Sequence, residues 1–163
     1  MLEFYKTFED GTRRIAEPEP GCWINAVAPT EEERNFLIEQ IGILPEFVKS
    51  SFDEDESSHI DYDDDFRQVL IIFDYPSAEN VDDDSIDSTY STLPIGIVIL
   101  KGYVVTISLY ENWSILEMSQ GRIKGMDTRL KTRFFLLLAL RISQRFLICL
   151  RDIVRLSSRT EKR

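Results

Sequence analysis

The C-terminal part of the chain constrains the fold most. From about Asp127 to at least Ser157 the sequence contains no Gly or Pro, and its apolar residues recur at helical spacing. A helix of about 30 residues spans about 45 Å, which is longer than a small domain needs. We therefore expect one long helix that takes part in a larger helical assembly. Its predicted apolar stripe consists of Leu130, Phe134, Leu138, Ile142, Phe146, Leu150 and Ile153.

One section of this helix, FFLLLAL at 134–140, is apolar on every side. Such a section is expected to be covered by other elements on more than one side. Its seven residues are far fewer than the roughly 20 that cross a membrane. The N-terminus also lacks the basic and then apolar order of a signal peptide. As given, the chain is expected to be soluble.

Charge divides the chain into two parts. Residues 1–121 carry 7 Lys and Arg against 26 Asp and Glu, whereas residues 122–163 carry 12 against 3. We predict an acidic domain over 1–121 and a basic, amphipathic long helix over 122–163. The two parts are expected to contact each other or to have a partner for one of them. An acidic body repels nucleic acid, so no nucleic-acid partner is expected.

The N-terminal part predicts two strands followed by two helices. EFYKTF (3–8) alternates in polarity, and CWINAVA (22–28) is rich in residue types that are buried in strands. Thr30 and Glu33 form a capping box that predicts a helix start, and Gly42 predicts its end. A second short helix is expected to begin at Pro45, because Pro suits a first helical position.

The central part predicts a hairpin and a pair of acidic segments. Residues 53–66 (DEDESSHIDYDDDF) are expected to form a loop in which eight of fourteen residues are acidic. A buried strand follows at 67–76, and then a polar connection at 77–91. Strands at 92–100 and 103–110 are expected to form a hairpin with Gly102 in its turn. A further helix is predicted at about 112–121.

Motifs of catalysis are absent from the sequence. It contains no Gly-rich phosphate loop, no Cys-x-x-Cys pair and one histidine, His59, which we interpret as an ordinary polar residue. Cys22 and Cys149 are expected to be buried, reduced thiols. Trp23 and Trp113 are expected to be partly buried in the core rather than at an interface. A hydrolase that uses paired carboxylates and Mg²⁺ remains an alternative without a supporting motif.

The acidic clusters leave two interpretations open. Carboxylates are suitable ligands for hard cations such as Mg²⁺ and Ca²⁺, although neither cluster fits the calcium-binding EF-hand pattern. A solvated acidic surface is one interpretation, and weak divalent-cation binding, shared between subunits, is the other. The candidate metal ligands are Asp61, Asp63, Asp64, Asp65, Asp82, Asp83, Asp84 and Asp87.

Three blocks of the sequence, in this order and spacing, resemble the family of CorA-like divalent metal ion transporters. They are CWINAVAPTEEERNFLIEQIGILPEFV, HIDYDDDFRQVLIIFDYP and TLPIGIVILKGYVVTISLYEN. The resemblance covers about residues 20–155. It implies an α/β cytoplasmic domain, with a mixed β-sheet flanked by helices and a long C-terminal helix leading toward a helical stalk.

The resemblance also implies a function, although the sequence departs from the family pattern at several positions. Family members are pentamers in which Mg²⁺ between the cytoplasmic domains holds the pore closed. The transmembrane pore region, with its Gly-Met-Asn signature, is absent from this sequence, so the chain is not expected to conduct ions alone. Lys49-Ser50 stand where the family has a regulatory Asp, and His59 stands where many relatives have Arg.

We therefore hypothesise a cytoplasmic regulatory domain of a CorA-like magnesium or cobalt ion transporter. It would sense a weakly bound divalent cation, which is Mg²⁺, Co²⁺ or another, and assemble with copies of itself. The parent protein would lie in the cell membrane, with this domain at the cytoplasmic face. The alternative is a stand-alone acidic protein that acts in interaction or oligomerisation without a role in transport.

Overall fold

The computed structural model describes residues 1–79 and 89–160. Along the chain, three strands and two helices are followed by four strands and two more helices. In chain order they are β1 (Leu2–Phe8), β2 (Gly11–Ile15), β3 (Cys22–Val27), α1 (Glu31–Glu39), α2 (Pro45–Ser50), β4 (His59–Asp63), β5 (Gln68–Glu79), β6 (Thr89–Leu100), β7 (Tyr103–Ser108), α3 (Trp113–Ser119) and α4 (Lys131–Thr160).

The described strands form a single mixed sheet with the order β2-β1-β3-β7-β6-β5-β4. Neighbouring strands run antiparallel except β3 and β7, which pair in parallel from Cys22 with Tyr103 to Val27 with Ser108. The parallel pair lies at the centre of the sheet and is nearly all buried. Parallel strands need cover on both faces, which accounts for their apolar sequences. The predicted mixed α/β fold is confirmed.

Helices cover both faces of the sheet. On one face α1 and α2 contribute Leu37, Phe47 and Val48 to a core with Ile24 of β3. On the other face α3 and α4 pack against Trp23, the preceding residue of β3. Successive strand residues point to opposite faces, so β3 supplies both cores.

The start of α1 confirms the predicted capping box. The Thr30 hydroxyl accepts a hydrogen bond from the Glu33 N–H at 3.2 Å, and the Glu33 carboxylate accepts one from the Thr30 N–H at 2.9 Å. That carboxylate also accepts from the Met1 ammonium group at 2.8 Å and from the Leu2 N–H at 3.0 Å. Glu33 thus joins the start of α1 to the start of β1.

Two predictions about the central region need correction. The predicted loop at 53–66 contains the strand β4, which pairs antiparallel with β5. Its acidic residues have low strand propensity, so only the pairing with an apolar neighbour specifies the strand. The predicted connection at 77–91 is partly strand too, since β5 continues to Glu79 and β6 begins at Thr89. The hairpin of β6 and β7 is confirmed, with Gly102 at a φ of +90°.

The long helix is confirmed in type but differs in detail. It begins at Lys131 rather than near Asp127. In its first half Phe134, Leu138 and Ile142 are fully buried against the sheet and α3, as the predicted stripe requires. Three other members of that stripe are exposed, and the apolar section at 134–140 is not covered on all sides in the single chain. The exposed stripe residues are Leu130, Leu150 and Ile153.

The prediction for the two cysteines is confirmed, whereas the prediction for the two tryptophans needs correction. Cys22 and Cys149 are both free and buried, as predicted. Trp23 is completely buried, which exceeds the prediction of partial burial. Trp113 is 51% exposed and lies at the surface, so the prediction that it belongs to the core is wrong.

Candidate functional site

The acidic edge is the surface that the sequence singles out, and we define it as residues 53–56 and 61–65. Its second part comprises the end of β4 and the turn that leads into β5. Asp61 pairs with Leu70 and Asp63 pairs with Gln68, so both carboxylates emerge on the face of the sheet that α1 and α2 cover. β4 is the last described strand of the sheet, and most of its side chains are exposed to solvent.

Several carboxylates of the acidic edge bond to nearby backbone. Asp63 accepts a hydrogen bond from the Phe66 N–H at 2.7 Å, which closes the turn between β4 and β5. Asp61 accepts from the Tyr62 N–H at 2.8 Å, and Asp53 accepts from the Asp55 N–H at 3.0 Å. A carboxylate has about four acceptor positions, so these bonds leave most of its capacity free for water or hydrated ions.

The structure brings Asp61, Asp63, Asp64 and Asp65 into one short segment without forming a closed ligand cage. Within residues 1–79 and 89–160, no group of three or more His, Cys, Asp or Glu side chains is arranged to hold a metal ion. The predicted ligands Asp82, Asp83, Asp84 and Asp87 lie outside the described residues. The arrangement that is described suits a cation that keeps its own water molecules, as Mg²⁺ commonly does.

The neighbouring polar residues have local structural roles. His59 Nδ1 lies 2.7 Å from the Ser57 carbonyl oxygen and 3.6 Å from the Glu56 carboxylate. This geometry agrees with the interpretation of His59 as an ordinary polar residue. Lys49 is exposed near the end of α2, and Ser50 is its last residue. Neither side chain supplies a carboxylate at that end of the helix.

A second surface, which the sequence reading missed, runs along α4. We call it the outer seam and define it by five exposed apolar residues that lie opposite the buried face of the helix. Two residues along a helix turn by about 200°, so Leu136 and Leu140 lie opposite the buried Leu138. The members are 49–64% exposed, and they are Leu136, Leu140, Leu147, Leu150 and Val154.

The spacing of the outer seam is that of a coiled coil. With Ser143 included, its positions advance by alternating steps of four and three residues. This 3.5-residue period keeps one side chain row against a partner helix. The predicted stripe followed the buried residues in the first half of α4 and included one seam residue, Leu150, and the rest of the second apolar row was overlooked.

Contacts between the basic helix and the acidic body are few in the described residues. Arg141 of α4 forms an ion pair with Glu117 of α3 at 3.3 Å. The Lys131 ammonium group donates a hydrogen bond to the Leu100 carbonyl oxygen, and burial lowers the pKa of this lysine. Phe134 and Leu138 of α4 add apolar packing against the sheet to these polar contacts.

Comparison with known proteins supports the fold. The sequence matches no protein-family model and no curated protein. The structure is similar to the soluble domain of CorA from Methanocaldococcus jannaschii, with 19% identity and a TM-score of 0.78 over 99% of this chain and 63% of that chain. It is similar to the complete CorA magnesium transporter from the same organism, with 18% identity and a TM-score of 0.75 over 99% of this chain.

A third similar structure is the cytoplasmic domain of ZntB from Vibrio parahaemolyticus RIMD 2210633. It shares 15% identity with this chain, with a TM-score of 0.65 over 94% of this chain and 62% of that chain. The class defined by these structures is an α/β domain with a mixed sheet and a long C-terminal helix. Within that class, the chain has the CorA-like soluble-domain fold that the sequence resemblance implied.

Two further findings concern the length of the matched proteins and the helices of this chain. The chain spans about half the length of the complete CorA magnesium transporter, since it covers 50% of that chain. Among the described helices, none is both long and apolar enough to cross a membrane.

Proposed function

We propose that the chain is the cytoplasmic, divalent-cation-sensing domain of a CorA-like magnesium or cobalt ion transporter, and that it acts in gating rather than in conduction. The observation that carries this proposal is the match of 99% of the chain to the soluble domain of a CorA protein. The role is regulatory and needs no catalysis. The domain would lie at the cytoplasmic face of the cell membrane, as part of a parent protein that is embedded in it.

The acidic edge supports the sensing part of the proposal. Exposed carboxylates this dense repel each other and repel the same surface on a neighbouring copy. A hydrated Mg²⁺ or Co²⁺ ion between two such surfaces would replace repulsion with attraction through water-mediated contacts. Binding would favour the closely packed arrangement of copies, because an ion shifts an equilibrium only by its difference in affinity for the two states.

The outer seam supports the assembly part of the proposal. Five large apolar residues at coiled-coil spacing are exposed on α4, and burial of such a row stabilises association. A homo-oligomer, a pentamer in the parent protein, would use this helix within its helical assembly. The acidic edge and the outer seam would then serve different contacts, one dependent on divalent ions and one apolar.

Thermal unfolding of matched variants tests the sensing role. In one triple variant Asp61, Asp64 and Asp65 are changed to Asn, which removes three charges from the acidic edge. In the control, three exposed carboxylates elsewhere are changed to Gln. The control positions are Glu9, Glu17 and Glu39.

Millimolar MgCl₂ should raise the Tm of the wild type and the control above the value in KCl of matched ionic strength. The acidic-edge variant should lose this extra increase, although it responds to KCl like the control. If all three proteins respond alike to MgCl₂, or if MgCl₂ acts no differently from KCl, divalent sensing by this surface is wrong.

A second candidate function is favoured by the outer seam itself. A stand-alone interaction protein would use the same apolar row to bind another helix, without any response to divalent ions. In buffer free of divalent ions, the double change Leu147→Glu and Leu150→Glu should abolish self-association in either case, because it places charges in the seam. Association that is lost in this variant but indifferent to Mg²⁺ in the wild type would favour the interaction protein.

A further inference from the structure

An open groove of about 640 Å³ lies between α1 and the start of the chain, on the face of the sheet that α1 and α2 cover. Four of its five large apolar side chains are only partly buried, so their surfaces are accessible to another molecule. Exposed apolar surface gathered in one groove is typical of a binding surface. These five lining residues are Leu2, Phe4, Phe36, Ile41 and Tyr103.

Two exposed carboxylates belong to the same lining. Glu17 follows β2, and Glu32 lies in the first turn of α1. Neither side chain forms an ion pair in the part of the chain that the structure describes. A third carboxylate, Glu33, is held by the Met1 ammonium group and the Thr30 N–H. Among the described residues that line the groove, none is Lys or Arg. A ligand that fits the groove therefore combines apolar surface with positive charge.

The second half of α4 has this complementary character. Leu147, Leu150 and Val154 of the outer seam are 49–64% exposed. Arg151 lies four residues after Leu147 and three before Val154, so it is their neighbour on the helix surface. Arg155 follows one turn later, and both arginines are exposed. This half of α4 therefore presents apolar side chains and positive charges on one surface.

Exposed apolar side chains at the acidic edge fit the groove less well. Ile60, Tyr62 and Phe66 are 55–68% exposed, but they lie within or beside the dense carboxylates of that edge. Like charges that face each other across an interface oppose binding. The carboxylates of the groove therefore favour α4 over the acidic edge as the occupant.

The position of α4 in the fold shows which copy of the chain supplies this helix. The groove belongs to the face of the sheet covered by α1 and α2, whereas Phe134, Leu138 and Ile142 hold α4 against the opposite face. The sheet separates the helix from the groove of its own chain. An α4 helix that fills the groove must therefore belong to a second copy.

We propose that the groove binds the second half of α4 from a second copy of this chain. The outer seam of that helix packs against the apolar lining, and its two arginines face the two exposed carboxylates. The contact joins two different surfaces, and repetition of such a contact builds a closed ring of copies. This inference rests on the self-assembly proposed above, and it names the surface that receives the outer seam.

Sedimentation velocity of matched variants tests the contact, in buffer free of divalent ions so that the result does not depend on cation sensing. The groove variant carries Glu17→Lys and Glu32→Lys. Its control carries Glu9→Lys and Glu46→Lys, which reverse two exposed charges outside the groove. Glu46 lies in the first turn of α2, so it matches the helix position of Glu32.

The groove variant should self-associate at least about tenfold more weakly than the wild type, because like charges then face each other. The control should associate like the wild type. The decisive sample is an equimolar mixture of the groove variant and the seam variant, which carries Leu147→Glu and Leu150→Glu. Each protein retains the half of the contact that the other lacks, so the mixture should form a complex of two copies that neither forms alone. That complex would also show that both variants are folded.

Three results would overturn the inference. If the groove variant associates like the wild type while the seam variant does not, the groove is not the docking surface, although assembly through α4 stands. A mixture of the two variants that forms no complex excludes a contact between groove and seam. A wild type that stays monomeric at high concentration would overturn both this inference and the proposed self-assembly.

Discussion

The replacement Thr106→Val should destabilise the domain more than its small change in shape suggests. In the core, Trp23 Nε1 donates a hydrogen bond to Thr106 Oγ1 at 2.8 Å, and Thr106 Oγ1 donates one to Asn25 Oδ1 at 3.0 Å. All three side chains are buried. Valine keeps the shape of threonine but removes both bonds, so a buried N–H group and a buried carbonyl oxygen lose their partner.

The cost follows from the number of atoms left unpaired. Each buried polar atom without a partner costs about 1–3 kcal/mol, which gives about 2–6 kcal/mol for Thr106→Val. A domain is typically stable by about 5–15 kcal/mol, so this loss is a large fraction of the total. The matched control Thr106→Ser keeps the hydroxyl group and loses one methyl group, at a cost of about 1 kcal/mol.

Urea unfolding measures the difference. Trp23 is buried and Trp113 is exposed, so a Trp113→Phe background leaves Trp23 as the sole tryptophan and as the reporter of the core. With a urea dependence of about 2 kcal/mol per M, Thr106→Val should lower the midpoint by about 1–3 M. If Thr106→Val were no less stable than Thr106→Ser, the buried hydrogen-bond chain would not contribute to stability as described here.

Two further predictions concern close packing and pH. Gly96→Ala should cost about 1–3 kcal/mol in urea unfolding, because the added Cβ meets the Ser51 hydroxyl group and lies 2.5 Å from Ser51 Cβ. The double variant with Ser51→Gly should be less destabilised than the sum of the two single changes, and simple additivity would contradict this contact. Partial burial alone would raise the pKa of Glu33, but hydrogen bonds from the Met1 ammonium and the Thr30 N–H outweigh it and lower the pKa below its ordinary 4.5. The stability that this carboxylate contributes is therefore complete above pH 4.5 and is lost as the pH falls through the lowered pKa. Glu33→Gln should cost about 1 kcal/mol at neutral pH and progressively less in acid, and a cost that does not depend on pH would refute this explanation.

Local sequence chemistry predicts the parts of the fold that depend on neighbours in sequence. The capping box of Thr30 and Glu33 and the turn at Gly102 are of this kind, and both are confirmed. The strand β4 is not, because its exposed acidic residues favour a loop and only pairing with β5 holds them in a strand. The segment is therefore a strand only because it pairs with β5, and local propensity carries no information about that pairing.

The surfaces of the molecule differ in the same way, since some are formed by consecutive residues and others by residues that are distant in sequence. Acidic clusters are visible in the sequence because their members are consecutive, and the acidic edge was predicted in part for that reason. A cavity that Tyr75, Asn112 and Arg145 help to line is not visible in this way, since these residues lie far apart in sequence and meet only when β5, α3 and α4 pack. Most of the outer seam was missed because two apolar rows share α4 and the prediction followed the row that is buried at the start of the helix.

Sedimentation velocity of the wild-type chain tests the central claim most directly. The experiment compares protein freed of divalent ions with protein in millimolar MgCl₂, each with KCl added to the same ionic strength. The account predicts a larger mean sedimentation coefficient in MgCl₂, because the ions bridge the acidic edges of neighbouring copies. Identical sedimentation in the two solutions would contradict a cation-sensing role for this domain.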